Sequence, residues 1–307
     1  MSEVATARPL IWIPREVHPD AIGELETWAE VRRGWGEDAA TEADIAPLAQ
    51  GVLLRTARMD AGQLSRMPRL RIVARHGVGT DTVDTAFARE HGIRVTTTPE
   101  ANVLSVAEHA IALLMAVRRG IGAAAAGTAD RDALVGGELS GSTLGLIGYG
   151  RIARRVARIA QGGFDMRILA FDPAVPDDVV RADGSDPRAL DELLAESDAV
   201  SVHVPLVPAT RGLLGAAQFR RMRSHAVVVN TSRGGVVDEH ALATALDAGE
   251  VGGAGLDVSE VEPMPADHPL RDRANVVVTP HIGGQTREAM RRVAMEAAAS
   301  LRAELAP

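Results

Sequence analysis

The chain has 307 residues, of which 46% are hydrophobic and 24% charged, with a formal net charge of -8. The length suits two ordinary domains, or one unusually large one, with two the better starting point, and the balance suits a soluble globular protein and not a disordered chain. There is no cysteine and all 33 basic residues are arginine, which excludes disulfide frameworks, thiolate nucleophiles, cysteine-held zinc, Schiff-base lysines and a Walker-type lysine.

No basic block is interleaved with aromatics, so no nucleic-acid partner is expected. No apolar run reaches membrane-spanning length, and Met1–Arg8 lacks an apolar core of signal-peptide length. The expectation is a cytoplasmic protein with no membrane partner and no metal.

In chain order, β-type runs at Leu10–Ile13, Val52–Leu54, Arg71–Ala74 and Ile93–Thr96 alternate with helix-like segments, the pattern of a parallel α/β sheet. The acidic tract Glu37–Ala46 reads as surface loop or helix. After Pro99 an apolar stripe of Val103, Val106, Ala110, Ile111, Leu114, Met115 and Val117 recurs at spacings near 3 and 4, which predicts a packed connecting helix. Ser105 with Glu108 has capping-box spacing and Asn102 is an alternative N-cap. A domain boundary is expected near Ala101.

A second α/β series runs through Thr143–Ile147, Arg167–Phe171, Ala199–Val204, Ala226–Val229, Gly252–Leu256 and Val276–Val278. Six such runs predict a complete dinucleotide-type fold. The last predicted helix carries Met290, Val293, Ala294, Ala297 and Leu301 on one face, for which the first domain is a candidate partner.

Within this series, Gly148-Tyr149-Gly150-Arg151-Ile152-Ala153 forms a G-x-G-x-x-A turn between an apolar strand and a helix. Gly148 and Gly150 would let backbone amides approach a pyrophosphate at the helix N-terminus, where Arg151 and Ile152 begin the helix. Asp172 ends the next strand, 24 residues beyond Gly148. A carboxylate there accepts hydrogen bonds from ribose hydroxyls and repels a 2′-phosphate, which favours NAD over NADP. Arg154, Arg155 and Arg158 read as the solvated face of the helix.

Three later stretches, Val229–Asp238, Gly255–Pro263 and Thr279–Gly284, resemble in order the hallmark segments of D-isomer-specific 2-hydroxyacid dehydrogenases. Ala74–Asp81 and Asn102–Glu108 also resemble family segments, so the likeness covers most of the chain. It implies a two-domain α/β protein. A Rossmann-type NAD-binding domain, 101–284, would be inserted into a discontinuous flavodoxin-like substrate domain, 1–100 and 285–307, with the active site in the cleft between them.

The resemblance also implies roles. Arg233, Glu262 and His281 match the family's catalytic residues: His281 as proton donor and acceptor, Glu262 as the carboxylate that orients and charges it, and Arg233 as the fork that binds the substrate carboxylate. Val78 and Gly79 would offer backbone amides to that carboxylate, and Arg75 hints at a further negative charge on the substrate. Val204, Pro205, Thr231 and Ser232 would line the cofactor site, with Asp257 beside the nicotinamide.

His203 reads as structural, whereas Arg75 and His76 are balanced between substrate contact and local hydrogen bonding. The expected activity is reversible NAD-linked reduction of a small 2-keto acid to its D-2-hydroxy acid by a homodimer. The alternative is an NADH-sensing, corepressor-like binding protein. With the chain ending at Pro307, no regulatory domain is expected, and phosphoglycerate, hydroxypyruvate, glyoxylate and other acids stay open as substrates.

Overall fold

A computed structural model describes residues 8–306. Of Met1–Arg8, read above as lacking a leader core, all but Arg8 lie outside the described residues. Two compact units are present. One holds the described residues up to Asn102 together with those from Gln285 onward, and the other is Val103–Gly284.

The first unit runs β1 (Leu10–Ile13), α1 (Pro19–Glu26), β2 (Glu30–Arg33), α2 (Glu42–Ile45), β3 (Gly51–Leu54), α3 (Ala61–Ser65), β4 (Ile72–Arg75), α4 (Thr85–Glu90) and β5 (Arg94–Thr96), and closes with the last helix of the chain. Its five strands are parallel in the order β2-β1-β3-β4-β5, the order of flavodoxin-like sheets. β1 and β3 are buried at every position, as expected of central strands covered on both faces.

The second unit runs α5 (Val103–Arg118), α6 (Ile121–Ala125), β6 (Thr143–Ile147), α7 (Arg151–Phe164), β7 (Arg167–Phe171), α8 (Asp177–Ala182), β8 (Asp186–Pro187), α9 (Leu190–Glu196), β9 (Ala199–Val202), α10 (Ala216–Phe219), β10 (Val227–Asn230), α11 (Glu239–Asp247), β11 (Gly253–Leu256) and β12 (Val276–Val278). All seven strands are parallel, in the order β12-β11-β10-β9-β6-β7-β8. This is the doubly wound dinucleotide order with one strand added, and such sheets present ligand sites at their carboxyl edges.

Helix α12 (Arg287–Leu305) follows and belongs to the first unit. Its Ala294, Ala297, Ala298, Leu301 and Leu305 pack with Ile11, Ile13, Ala21, Leu25 and Ile72. Burying one leucine there is worth about 2 kcal/mol. Gly51 makes the approach possible, since a Cβ on it would stand 2.7 Å from Leu305 Cδ1 and 2.8 Å from Leu301 Cδ2.

The sequence reading needs four adjustments. β2 was not expected, and it is an edge strand with no fully buried residue, so it lacks the apolar run that marked its neighbours. β8 was also missed; it is two residues long and ends on Pro187, which lacks the N–H a longer strand needs. β9 stops at Val202, two residues before the expected end, ahead of Pro205. Finally, α5 starts at Val103, so Ser105 lies inside the helix and does not cap it; Asn102 precedes the helix, but its Oδ1 is buried without a hydrogen-bond partner.

Candidate active site

The glycine turn joins β6 to α7. Gly148 has φ +88°, a conformation that L side chains rarely adopt, and a Cβ there would lie 2.9 Å from the His203 carbonyl. Gly150 caps α7 with no side-chain hydrogen bond, and a Cβ on it would meet nothing within 4 Å. The first amides of α7 have no acceptor within their own helix and lie at the positive end of 14 residues of helix. Arg151 is exposed in that first turn and Ile152 half-buried beside it.

At the end of β7, Asp172 accepts hydrogen bonds from the Tyr149 N–H at Oδ2 (2.7 Å) and from the Ala174 N–H at Oδ1 (2.9 Å). It thus ties the glycine turn to the neighbouring strand, and each oxygen keeps lone-pair capacity for ribose hydroxyls. Val204 and Pro205 follow β9, and Thr231 and Ser232 follow β10. The Thr231 hydroxyl is buried without a hydrogen-bond partner, as befits a group awaiting a polar ligand. An anion-ready helix start, a carboxylate for ribose and an orphaned hydroxyl together fit a dinucleotide.

The catalytic candidates lie on three loops leaving the carboxyl ends of adjacent strands. Arg233 follows β10, where buried Asn230 shapes the turn: its Oδ1 accepts from the Ser232 N–H (3.0 Å) and hydroxyl (2.7 Å), and its Nδ2 donates to the Arg233 carbonyl (2.9 Å). Arg233 Nη1 also donates to the Ser232 carbonyl (2.7 Å). A Cβ on Gly234 would overlap the Ser259 carbonyl and stand 2.5 Å from Glu260 N, so glycine lets the Arg233 and Glu262 loops touch.

Glu262 lies on the loop after β11, and its Oε2 is 2.8 Å from His281 Nδ1. Glu239, buried at the start of α11, braces that loop by accepting from the Glu260 N–H (2.7 Å), with His268 Nε2 3.0 Å from its other oxygen. Burial pushes the Glu262 carboxyl up, but the hydrogen bond from His281 and the charges nearby outweigh it and leave its pKa lowered. The hydrogen bond to Glu262 raises the His281 pKa above its ordinary 6.5, against opposing contributions from burial and Arg233.

His281 follows β12 and adopts φ +54°. Its N–H is held by the carbonyls of Asp257 (2.8 Å) and Thr279 (3.0 Å). Asp257 is buried and accepts from the Ile282 and Gly283 N–H groups, both at 2.8 Å. Asp257, Asn230 and Glu239 therefore hold the loops in place. Asn230 and Glu239 escaped the sequence reading; the available signal was a polar residue ending the apolar run Val227–Val229.

Arg75, His76, Val78 and Gly79 sit in the first unit. Val78 and Gly79 lie on the loop after β4, with Val78 exposed. Arg75 Nη1 donates to the carbonyls of Leu54, Arg55 and His76, a role in shaping that loop. His76 is buried, and burial first, then the nearby Arg55 and Arg75, pushes its pKa down to about 4. His203 is likewise held at about 4 by burial, with Nε2 2.9 Å from Ser201 Oγ.

Residues 103–283 match the family described as D-isomer specific 2-hydroxyacid dehydrogenase, NAD binding domain. The chain is 41% identical over 304 residues to a D-3-phosphoglycerate dehydrogenase of Mycobacterium tuberculosis, covering 97% of this chain but 57% of that relative's length. It is 43% identical over 260 residues to a hydroxypyruvate reductase of Thermotoga maritima, covering 82% of this chain and 83% of that one. Among solved structures, an NADPH-dependent glyoxylate/hydroxypyruvate reductase from Sinorhizobium meliloti, in complex with NADP and malonate, superposes with a TM-score of 0.82 at 29% identity, covering 97% of this chain and 93% of that one. The matched span takes in the glycine turn and the loops of Arg233, Glu262 and His281, and the chain belongs to the D-isomer specific 2-hydroxyacid dehydrogenase family.

Proposed function

We propose that the protein interconverts a small 2-keto acid and its D-2-hydroxy acid with NAD as cofactor. The observation that carries this reading is the 2.8 Å pair of His281 and Glu262 beside the Arg233 loop, at the carboxyl edge of an NAD-binding sheet. A nicotinamide cofactor, when bound, supplies or accepts the hydride. His281 gives the carbonyl oxygen its proton in reduction and takes it back in oxidation, Glu262 favours the charged imidazole, and Arg233 binds the carboxylate.

The family resemblance adds the amides of Val78 and Gly79 as partners for the carboxylate, and it supports a homodimer; the setting proposed is the cytoplasm. Asp172 supports NAD over NADP, although a relative of this family is described as NADPH-dependent. The test is oxidation of NADH by the purified protein against a panel of 2-keto acids including phosphohydroxypyruvate, hydroxypyruvate and glyoxylate, with NADPH in parallel. Turnover specific to NADH is the expected result. NADH binding with no turnover of any acid would refute the enzyme reading and favour a sensor. Sedimentation showing only monomer would remove the dimer.

A further inference from the structure

The turn that carries His281 is held by a residue from an element that gives nothing else to the site. Asp257 Oδ1 accepts from the Thr279 hydroxyl at 2.6 Å and the Ile282 N–H at 2.8 Å, and Oδ2 accepts from the Gly283 N–H at 2.8 Å. His109, on α5, brings Nε2 to 2.9 Å from Thr279 Oγ1 and 3.2 Å from the same Asp257 Oδ1. The hydrogen count fixes the direction. The one hydroxyl hydrogen of Thr279 goes to the carboxylate, so Thr279 Oγ1 can only accept from His109, and Nε2 is the ring nitrogen that carries hydrogen.

His109 stands out on its helix, whose neighbouring Ala107, Ala110, Leu113 and Leu114 are core residues. The turn it reaches has little slack. His281 is at φ +54°, and a Cβ on Gly283 would lie 2.9 Å from Asp257 Oδ2 and 3.5 Å from His109 Cδ2. The turn is thus packed against Asp257 and His109 together.

We propose that His109 is a positioning residue for His281: its Nε2–H, shared between Thr279 and Asp257, locks the Thr279–Gly283 turn and thereby the separation of His281 from Glu262. The charged groups facing His281 are Glu262 and Asp257, from the end of β11 and the loop after it, and Arg233 from the loop after β10. Without His109, Asp257 keeps three donors and stays ionised, so its direct field on His281 changes little. The loosened turn weakens the hydrogen bond to Glu262, which is the stronger influence on the His281 proton. The imidazole then holds its proton less tightly. The kinetic consequence rests on the dehydrogenase reading; the effect on the His281 proton does not.

The test is an NMR titration of the His281 ring in the full chain, assigned by its loss in His281→Asn, for the parent, His109→Leu and His109→Gln, with NADH affinity measured alongside. Glutamine can place its Nε2 donor where the imidazole nitrogen stands. The expected result is a His281 midpoint lowered by about 0.5 pH unit or more in His109→Leu, with NADH affinity within about twofold of the parent. The midpoint should return in His109→Gln, and kcat for keto-acid reduction should fall about tenfold in the leucine variant only. An unmoved or raised midpoint in folded His109→Leu, or an equal shift in both variants, overturns the proposal. If His109→Leu does not fold, Thr279→Val removes the bridging hydroxyl and must lower the midpoint for the proposal to stand. A parent that turns over no 2-keto acid refutes the dehydrogenase reading alone, and the titration still decides the part played by His109.

Discussion

His281 Nδ1 lies 2.8 Å from Glu262 Oε2, which leaves Nε2 as the ring nitrogen that can exchange a proton with a reactant. The hydrogen bond raises the His281 pKa above 6.5. Reduction of a keto acid needs protonated His281, so its rate should hold below that raised pKa and fall as pH rises through it. Oxidation of the hydroxy acid needs the neutral ring and should rise over the same range. Glu262→Gln removes the charge, lowers the His281 pKa, and should move both limbs to lower pH. It should also cost reduction about 10²-fold at neutral pH. Limbs in the same place for the parent and Glu262→Gln would mean that the pair does not govern the proton.

Arg233 is positioned by its own loop, with Asn230 Nδ2 donating to its carbonyl at 2.9 Å. Arg233→Lys keeps the charge and loses the planar fork, so kcat/KM for a 2-keto acid should fall about 10²–10³-fold. Because Arg233 acts on the substrate, NADH affinity should stay within about twofold of the parent. Steady-state kinetics with fluorescence titration of NADH would separate the two effects. A lysine variant of near-parental efficiency would remove Arg233 from carboxylate recognition.

Much of this architecture is legible in the sequence because a parallel strand covered on both faces must be apolar throughout, as at Leu10–Ile13 and Gly51–Leu54. Where a strand lies at the edge that constraint lapses. Glu30–Arg33 pairs with β1 while staying exposed or half-buried, and its residues carry no signature of the pairing. The same division runs through the site. Arg233, Glu262 and His281 stand in ordered motifs, whereas His109 is a polar residue in a largely apolar helix and meets Thr279 across 170 positions of chain. No local spacing encodes such a contact.

Asp172 links the Tyr149 amide to the end of β7 through a 2.7 Å hydrogen bond, so it has a structural task as well as its proposed one towards ribose. Asp172→Ser should weaken NADH use by loosening the turn and should relieve repulsion of a 2′-phosphate. The ratio of kcat/KM for NADH over NADPH should shrink by about tenfold or more. Parallel kinetics with both cofactors measure it. A parent that already prefers NADPH, or a ratio untouched by the substitution, would take cofactor choice away from Asp172.

His203 and His76 make the fold sensitive to acid. Burial lowers the pKa of each from 6.5 to about 4, aided at His76 by Arg55 and Arg75. Between those values the unfolded chain takes up a proton on each ring and the folded protein does not, so their stabilising contribution is fully present above 6.5 and is lost as pH falls towards about 4. At about pH 5 each ring should have cost about 2 kcal/mol relative to neutral pH. His203→Gln leaves a polar side chain near the Ser201 hydroxyl, 2.9 Å from His203 Nε2 in the parent, and removes the titration. Its urea midpoint should be somewhat lower than the parent's at neutral pH and should fall less steeply towards about pH 5. Parallel slopes for the two proteins would show that His203 is not held neutral in the folded state.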